Sequence, residues 1–397
     1  TSVRSTASPS PFSHLSVIGC NSSRASAPCV DIRQLARGRT RHTLAMSFEA
    51  YVLTAAGAPL ERQSLELASL AEHQAVVEVE ACGLCHTDLA YARGEVAPRH
   101  ALPLVLGHEI VGRVVAAGGA HEALVGARVL VPAVLPCGSC DFCRAGRGNA
   151  CPKQKMPGND VHGGFATHVT LPAAPLVPLT DVPPSVDPRH LAVVADAVST
   201  AYQAVVRAGL VAGDVAFVVG AGGVGGYVIQ IARALGARVV AIDVEASRLA
   251  LVAAHGAEHG VVVGDRPPKE IRKEVHRLAA DWGVPSLRYR VFECSGTPKG
   301  QTLAFTLLAP AATMVQAGYC ASPVELRLSN LMAFDATVHG TWGCPPEAYP
   351  AVLDLIYSGR VALAPFVEHA PLSEVNGILD DMANHRLTRR VVFDPRR

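Results

Sequence analysis

The chain has 397 residues, 49% of them hydrophobic and 17% charged, which excludes a disordered protein and is enough for two domains with a sizeable core. Lys plus Arg total 35 against 34 Asp plus Glu, so no global field draws nucleic acid or an anionic surface to it. No apolar run reaches the roughly 18 residues needed to span a bilayer, and the expected partners are small molecules, with no nucleic acid and no membrane.

Residues 1–45 differ from everything after them. They carry Arg4, Arg24, Arg33, Arg37, Arg39 and Arg41 against the single acid Asp31, with many serines and no sustained periodicity. Such a composition resembles an organelle transit peptide. The stronger reading is upstream sequence translated from a mistaken start, because Met46 precedes the first strand-like run at 49–54. On either reading this leader is expected to be disordered and is set aside from the fold.

From Met46 to about Leu171 the pattern is β-rich with few helices, with strands expected at 76–79, at 110–115 around Gly112, and at 128–131. Metal-type residues gather here. Cys137, Cys140, Cys143 and Cys151 form C-x2-C-x2-C-x7-C in a loop that contains Pro136, Gly138, Gly146 and Gly148. Four thiolates at such spacing suit a closed tetrahedral zinc, which stabilises a lobe and does not catalyse. An iron–sulfur cluster and reduced free thiols are the alternatives. Crowded cysteines of this kind point to a reducing, cytoplasmic compartment rather than to a disulfide framework.

A second constellation is Gly83-Leu84-Cys85-His86-Thr87-Asp88 with Gly107-His108-Glu109. Cys85 offers a soft thiolate and His108 an imidazole, while Asp88 and Glu109 lie beside them as acceptors able to orient the ligands. Taken singly, His108 reads as a satisfied structural histidine and Cys82 with Cys85 as a C-x-x-C redox pair.

The stretch VAFVVGAGGVGGYVIQIARALGARVVAID, residues 215–243, reads as strand, tight turn, helix, strand. Residues 215–219 form a β-branched and aromatic run suited to a strand buried on both faces. Gly220, Gly222 and Gly225 then match G-x-G-x-x-G: the first permits the turn, the second lets backbone approach a pyrophosphate, and the third lets helix pack on strand. The helix, 224–235, is apolar almost all round and should be buried, and its N-terminus would hold the phosphates. Asp243 closes the second strand at the distance expected of a ribose-binding acid, which favours NAD over NADP by accepting from both ribose hydroxyls and repelling a 2′-phosphate. Arg248 nearby is either a cation able to accommodate such a phosphate or a solvated helix-face charge.

Further strands are expected at 261–263, 290–293 and 313–317, giving five or six parallel strands in a doubly wound sheet. Past Gly343, a helix-like segment at 346–358 and a strand at 390–393 are expected to return to the first domain.

In this order, GLCHTD, LGHEIVGRV, the four-cysteine lobe, HGGFATHV and VVGAGGVG resemble the zinc-containing medium-chain alcohol dehydrogenases over essentially all of residues 46–397. The resemblance implies an α/β fold with a GroES-like β-rich catalytic domain, residues 46–197 completed by 343–397, plus a Rossmann doubly wound parallel-sheet domain, residues 198–342. It implies NAD and two zinc ions per chain, one catalytic and one structural, in a homo-oligomer, dimer or tetramer. Cys85 and His108 match two catalytic zinc ligands. The third, a cysteine in many members, corresponds to Asp196 in ADAVSTAY, and carboxylates also ligate zinc. Glu109 matches an acid able to approach the metal when the fourth ligand exchanges. Thr87 matches the hydroxyl that relays the alcohol proton, and His86 the cationic or polar group near the pyrophosphate. Thr200, Gly220, Gly222, Gly223, Val224, Gly225, Asp243 and Arg248 fall at cofactor positions. The place of a terminal relay histidine is taken by Ala90.

Closer still, VPAVLPCGSCDFCRAGRG, KQKMPGNDVHGGFATHV and DAVSTAYQAV resemble the 6-hydroxycyclohex-1-ene-1-carbonyl-CoA dehydrogenases of anaerobic benzoyl-CoA breakdown. That likeness implies hydride transfer to NAD from a ring hydroxyl of a CoA thioester, giving the 6-oxo product in aromatic compound degradation. Arg93, Arg99, Arg144, Arg147, Lys153 and Lys155 are then candidates for the CoA phosphates. The competing readings are a zinc dehydrogenase of a simple secondary alcohol or polyol, and a nucleotide-binding protein without the chemistry.

Overall fold

The structure, a computed structural model, describes residues 47–397, so the leader expected over 1–45 lies outside the described residues. In chain order the first elements are strands β1 (Ser47–Leu53), β2 (Glu61–Glu66) and β3 (Gln74–Gly83), helix α1 (His86–Arg93), strands β4 (Leu104–Val105), β5 (Glu109–Ala117) and β6 (Arg128–Val131), helix α2 (Asp141–Arg144), and strands β7 (His168–Pro172) and β8 (Val177–Pro178). A 3-10 segment, Pro188–Ala195, leads into α3 (Ala197–Arg207). There follow β9 (Val215–Val219), α4 (Gly225–Ala234), β10 (Arg238–Asp243), α5 (Ala246–Ala253), β11 (His259–Val262), α6 (Pro268–Asp281), β12 (Tyr289–Glu293), α7 (Pro298–Thr306), β13 (Thr313–Gln316), α8 (Ser329–Phe334) and β14 (Thr337–Gly340). The last elements are α9 (Tyr349–Tyr357), β15 (Val367–Pro371), α10 (Val375–Ala383) and β16 (Arg390–Asp394).

Three sheets result. The first is a small antiparallel sheet ordered β2-β1-β4, and the second is a seven-stranded sheet ordered β15-β16-β3-β5-β6-β8 with β7 also paired to β3. β3 outgrows the expected 76–79 because it has partners along its whole length: β7 opposite 74–78, β5 opposite 75–83 and β16 opposite Cys82 and Gly83. Two register shifts interrupt its pairing with β5, and bulges of this sort re-aim a strand beside a site. After them Gly83 pairs with Glu109. That register brings the residues just beyond β3, Leu84 and Cys85, to those just before β5, ending with His108.

The third sheet has six parallel strands ordered β11-β10-β9-β12-β13-β14. Numbered within the sheet this is 3-2-1-4-5-6, the doubly wound order whose ligand crevice opens at the carboxyl ends of the two central strands, here β9 and β12. All five residues of β9 are buried, as the β-branched run requires. α4 is buried from Gly225 through Ala232, so its apolar sequence has apolar surroundings on every side.

Phe217, Val291, Ile271 and Leu303 fill one face of the parallel sheet. The other face is continuous with the antiparallel part of the chain: Ala81, Val111 and Leu130 share a core with Val193, Val198 and Val218. The segment after Gly343 divides its contacts. α9 packs against α3, whose apolar face its Val352, Leu355 and Ile356 match, while the return to the antiparallel sheet is made by β15 and β16. Among the described residues no helix is long and apolar enough to cross a membrane.

Candidate functional site

Cys85 is the N-cap of α1, in extended conformation, and Asp88 three residues on accepts from the Cys85 amide at 3.0 Å. The other oxygen of Asp88 accepts from the Gly107 amide at 3.0 Å and lies 3.3 Å from His108 Nδ1. One fully buried carboxylate therefore ties the start of α1 to the His108 loop and orients the imidazole. Gly107 turns that loop at φ +94°, where an added Cβ would sit 2.6 Å from the Phe165 ring. Asp196 arrives from the junction between the 3-10 segment and α3, and its Oδ1 accepts from the Thr200 hydroxyl at 2.7 Å. Thr200, expected among the cofactor contacts, is thus engaged in aiming Asp196.

These elements converge. Asp196 Oδ2 stands 3.7 Å from Cys85 Sγ and 3.6 Å from His108 Nε2, and donor atoms of Cys85, His108, Glu109 and Asp196 all lie within 4.8 Å of one another. Tetrahedral zinc with ordinary bond lengths separates a thiolate from a carboxylate oxygen by about 3.6 Å, and a nitrogen from an oxygen by about 3.4 Å. The observed spacings match. Neither nitrogen of His108 has a well-aligned hydrogen bond although the residue is buried, an arrangement that a metal satisfies and plain packing does not. Burial by itself would lower the His108 pKa, but Asp88 and Asp196 outweigh it and hold it well above the ordinary value. Asp196 is held at about 2: burial pushes it up, and His108, Arg390 and Thr200 more than reverse that.

Glu109 begins β5 and is fully buried. Its Oε1 accepts from Arg390 Nη1 at 2.6 Å and from the Ala197 amide at 3.2 Å, while Oε2 has no partner. Burial raises its pKa to about 7 against the pull of Arg390, so near neutrality it can hold or release a proton. Thr87 Oγ1 lies 3.7 Å from Cys85 Sγ.

His86 was expected as a cationic or polar group, and its surroundings favour the uncharged, polar form. Although its ring is accessible, partial desolvation by the surrounding wall, then the charges of Arg390, His385 and Arg248, lower its pKa to about 4. It faces the cleft as a neutral imidazole. The redox-pair alternative also fails: Cys82 is wholly buried in the antiparallel core, its sulfur against the backbone of Gly107 and Gly164.

Cys137, Cys140, Cys143 and Cys151 form the second cluster, around α2. Their sulfurs are separated by 3.5 Å (140 to 143), 3.6 Å (140 to 151), 3.6 Å (151 to 137) and 4.0 Å (137 to 143). The edge of a ZnS4 tetrahedron is about 3.8 Å. Lys153 N–H donates to Cys151 Sγ at 3.3 Å, as outer groups do around thiolate sites.

At the crevice of the parallel sheet, Gly220 turns at φ +92°, and a Cβ there would lie 2.6 Å from the Ser295 amide after β12. A Cβ on Gly225 would meet the Gly220 carbonyl at 1.7 Å, whereas Gly222 opens on space with only Arg248 nearby, at 3.9 Å. The three glycines thus differ physically: two are forced by packing, and the middle one leaves room for a ligand. Gly223 and Val224 lead into the N-terminus of α4. Asp243 accepts from the Ala221 amide at 2.6 Å and the Glu245 amide at 2.9 Å, with Arg248 Nη1 at 3.8 Å.

Two residues escaped the sequence reading. Arg390 joins the metal-type cluster to the glycine turn, since its Nη1 binds Glu109 and its Nη2 lies 2.8 Å from the Cβ position of Gly223. Tyr349 is fully buried, donates to the Ala195 carbonyl at 2.6 Å and accepts from Ser199 at 3.2 Å, bracing the turn that presents Asp196. The sequence held no local signal for either, because each acts across a long separation in the chain.

Comparison with known proteins agrees with this geometry. Residues 71–181 match the model of the alcohol dehydrogenase GroES-like domain and residues 223–358 that of the zinc-binding dehydrogenases. An alcohol dehydrogenase of Geobacillus stearothermophilus is 30% identical over 337 residues, 84% of this chain and 95% of that protein. An NAD-dependent alcohol dehydrogenase of Sulfolobus acidocaldarius is 28% identical, covering 87% and 99%. A zinc-binding dehydrogenase from Sinorhizobium meliloti, solved bound to NADP, superposes with a TM-score of 0.77 at 26% identity, covering 88% of this chain and all of that one. The chain belongs to the zinc-containing medium-chain alcohol dehydrogenase family, α/β enzymes with a GroES-like catalytic domain and a Rossmann domain that use NAD(P) and zinc.

Proposed function

We propose that this enzyme oxidises a secondary alcohol with NAD, using Cys85, His108 and Asp196 as ligands of a catalytic zinc and Cys137, Cys140, Cys143 and Cys151 as ligands of a structural one. The observation that carries the reading is Arg390, one guanidinium in contact with both the Glu109 carboxylate of the metal-type cluster and the glycine turn. Zinc in the first site supplies a Lewis acid for the substrate hydroxyl. The chain does the rest. Asp88 and Thr200 fix the directions of His108 and Asp196, the Thr87 hydroxyl takes the alcohol proton toward solvent past neutral His86, and the crevice aligns the carbinol carbon with the nicotinamide that accepts its hydride. Glu109, paired with Arg390, would be a further carboxylate available to a zinc held there. Asp243 at the end of β10 supports NAD, because its carboxylate repels a 2′-phosphate; Arg248 would bind the remaining phosphates.

For the alcohol itself we propose 6-hydroxycyclohex-1-ene-1-carbonyl-CoA, oxidised to the 6-oxo product in aromatic compound degradation. The motif likeness supports it, together with cations flanking the ligands. Arg99 pairs with Asp160, and Arg144 with Asp141, but Arg93, Arg147, Lys153 and Lys155 form no ion pair among the described residues and are available to phosphates. A simple secondary alcohol or polyol is the second reading, favoured by the relatives, among them an L-galactonate-5-dehydrogenase of Escherichia coli and a solved acetophenone reductase of Geotrichum candidum. The nine cysteines of the described residues are all free, which suits a reducing compartment such as the cytoplasm. Leu328, Met332 and Val338 are exposed on or beside edge strand β14, which supports a homo-oligomer.

The deciding experiment compares kcat/KM for the CoA thioester, cyclohexanol and galactitol with NAD. A remote phosphorylated handle contributes binding energy to positioning, so the thioester should exceed cyclohexanol by orders of magnitude. Comparable values for the thioester and the free alcohols would remove the CoA reading and leave the dehydrogenase.

A further inference from the structure

Away from both cysteine-containing clusters, Asp187, His190 and His369 each present a donor atom within 4.8 Å of the other two. Asp187 is the N-cap of the 3-10 segment Pro188–Ala195 and His190 lies one turn on. With three residues per turn, both fall on one face of that segment. His369 is the middle residue of β15 and approaches from the C-terminal part of the chain. The rings of His190 and His369 stack with centroids 4.8 Å apart and planes at 17°, and His369 Nε2 lies 3.8 Å from Asp187 Oδ2.

The surroundings suit ligation. Burial lowers the pKa of both histidines, with Arg189 adding to it and Asp187 opposing it, which favours the neutral imidazole, the form that binds metal. Arg189 grips Asp187, with Nη2 2.7 Å from Oδ2 and Nε 3.2 Å from Oδ1. The Arg189 amide also donates to Oδ1 at 2.9 Å and Nε reaches Oδ2 at 3.2 Å. An ionised carboxylate has about four acceptor positions, so these three donors leave about one, on Oδ2, the oxygen that His369 approaches, and fix the carboxylate as an outer partner would. Two imidazole nitrogens and one carboxylate oxygen select borderline divalent ions such as zinc, nickel or copper over magnesium or calcium. Metal–nitrogen bonds of about 2.1 Å need donors about 3.4 Å apart and lie in the ring plane, so His369 closes in on Asp187 from 3.8 Å and one of the two stacked rings turns about its side-chain bonds to aim both nitrogens at the ion.

We propose that Asp187, His190 and His369 form a further, exchangeable divalent-cation site that clips β15 to the 3-10 segment leading into Asp196. Its occupant stabilises the fold where the last part of the chain rejoins the antiparallel sheet.

The test titrates Ni2+ into the full-length, zinc-loaded enzyme and counts bound ions by native mass spectrometry, with His369→Ala, His190→Ala and His369→Asn in parallel. Wild type should take up one nickel without releasing zinc and gain in Tm, as binding to the folded state requires. The variants should keep their zinc and their activity without nickel, yet lose at least about tenfold in nickel affinity, the smallest effect typical of removing even an outer partner. His369→Asn keeps polarity and size, so it reads out the ligand if an alanine variant folds poorly. Nickel affinity equal in wild type and every folded variant, uptake only by displacement of zinc, or no uptake at all overturns the proposal.

Discussion

Arg390 Nη1 lies 2.6 Å from Glu109 Oε1, so the first residue of the last strand neutralises the first residue of β5 at the floor of the cleft. Both side chains are buried. Arg390→Ala would leave Glu109 unpaired in low dielectric, and breaking a buried pair from one side costs about 3–5 kcal/mol. It would also remove the guanidinium beside Gly223. We expect a lower midpoint in urea and a raised KM for NAD, with Arg390→Lys recovering part of the first effect and little of the second. An unchanged KM for NAD in a folded variant would reduce Arg390 to a structural role.

Metal analysis of the purified enzyme should return two zinc ions per chain of separable character. Cys143→Ser opens the four-sulfur cluster, and a structural zinc contributes directly to folding, so Tm and solubility should fall before the chemistry suffers. Cys85→Ser should abolish turnover while Tm changes little. One zinc or fewer in a well-folded, fully active preparation would contradict the assignment.

Asp243 accepts hydrogen bonds from the Ala221 and Glu245 amides. Asp243→Asn retains an acceptor for the turn while removing the charge that repels a 2′-phosphate. The NADP to NAD ratio of kcat/KM should rise about tenfold, equivalent to about 1.4 kcal/mol, with Arg248 as the waiting cation. Wild-type enzyme that is faster with NADP at equal concentration would end the claim for NAD.

Burial lowers the pKa of His276 below the ordinary 6.5, and its ring packs against Phe217 and Tyr289 with Nε2 donating to the Leu307 carbonyl at 2.9 Å. The unfolded chain therefore binds more protons than the native one below pH 6.5, and stability must fall as the pH drops through that value. Tm measured from pH 7 down to about pH 5 should decline. His276→Gln should flatten part of the slope, with His86, His162, His168, His190 and His369, which are shifted in the same direction, contributing to the remainder. A variant with the full wild-type slope would show that His276 is protonated freely in the folded state.

Much of the parallel sheet was legible because its signals are local. β9 ends where its β-branched run meets Gly220, and the steric demands on Gly220 and Gly225 are those the spacing implied. The edges of β3 were not legible, since its extension beyond 79 is set by pairing with β5, β7 and β16. Whether His86 is cationic or merely polar was not legible for the same reason: its protonation depends on desolvation and on Arg390 and His385, residues no local pattern connects to it.

Sequence by itself determined what depends on chemistry and spacing within a turn or a loop: the clustering of the four cysteines of 137–151, the glycine turn with Asp243, and the metal-type donors offered by Cys85 and His108. These are decided by bond lengths, backbone conformations and charge, which operate within a few residues. Only the tertiary structure decided that Asp88 and Thr200 aim His108 and Asp196, that Tyr349 braces the turn carrying Asp196, and that Arg390 joins Glu109 to the glycine turn. Those contacts exist because the β3–β5 register and the return of β16 carry distant segments into one cleft, and a register is settled by burial over the whole sheet rather than by any single stretch.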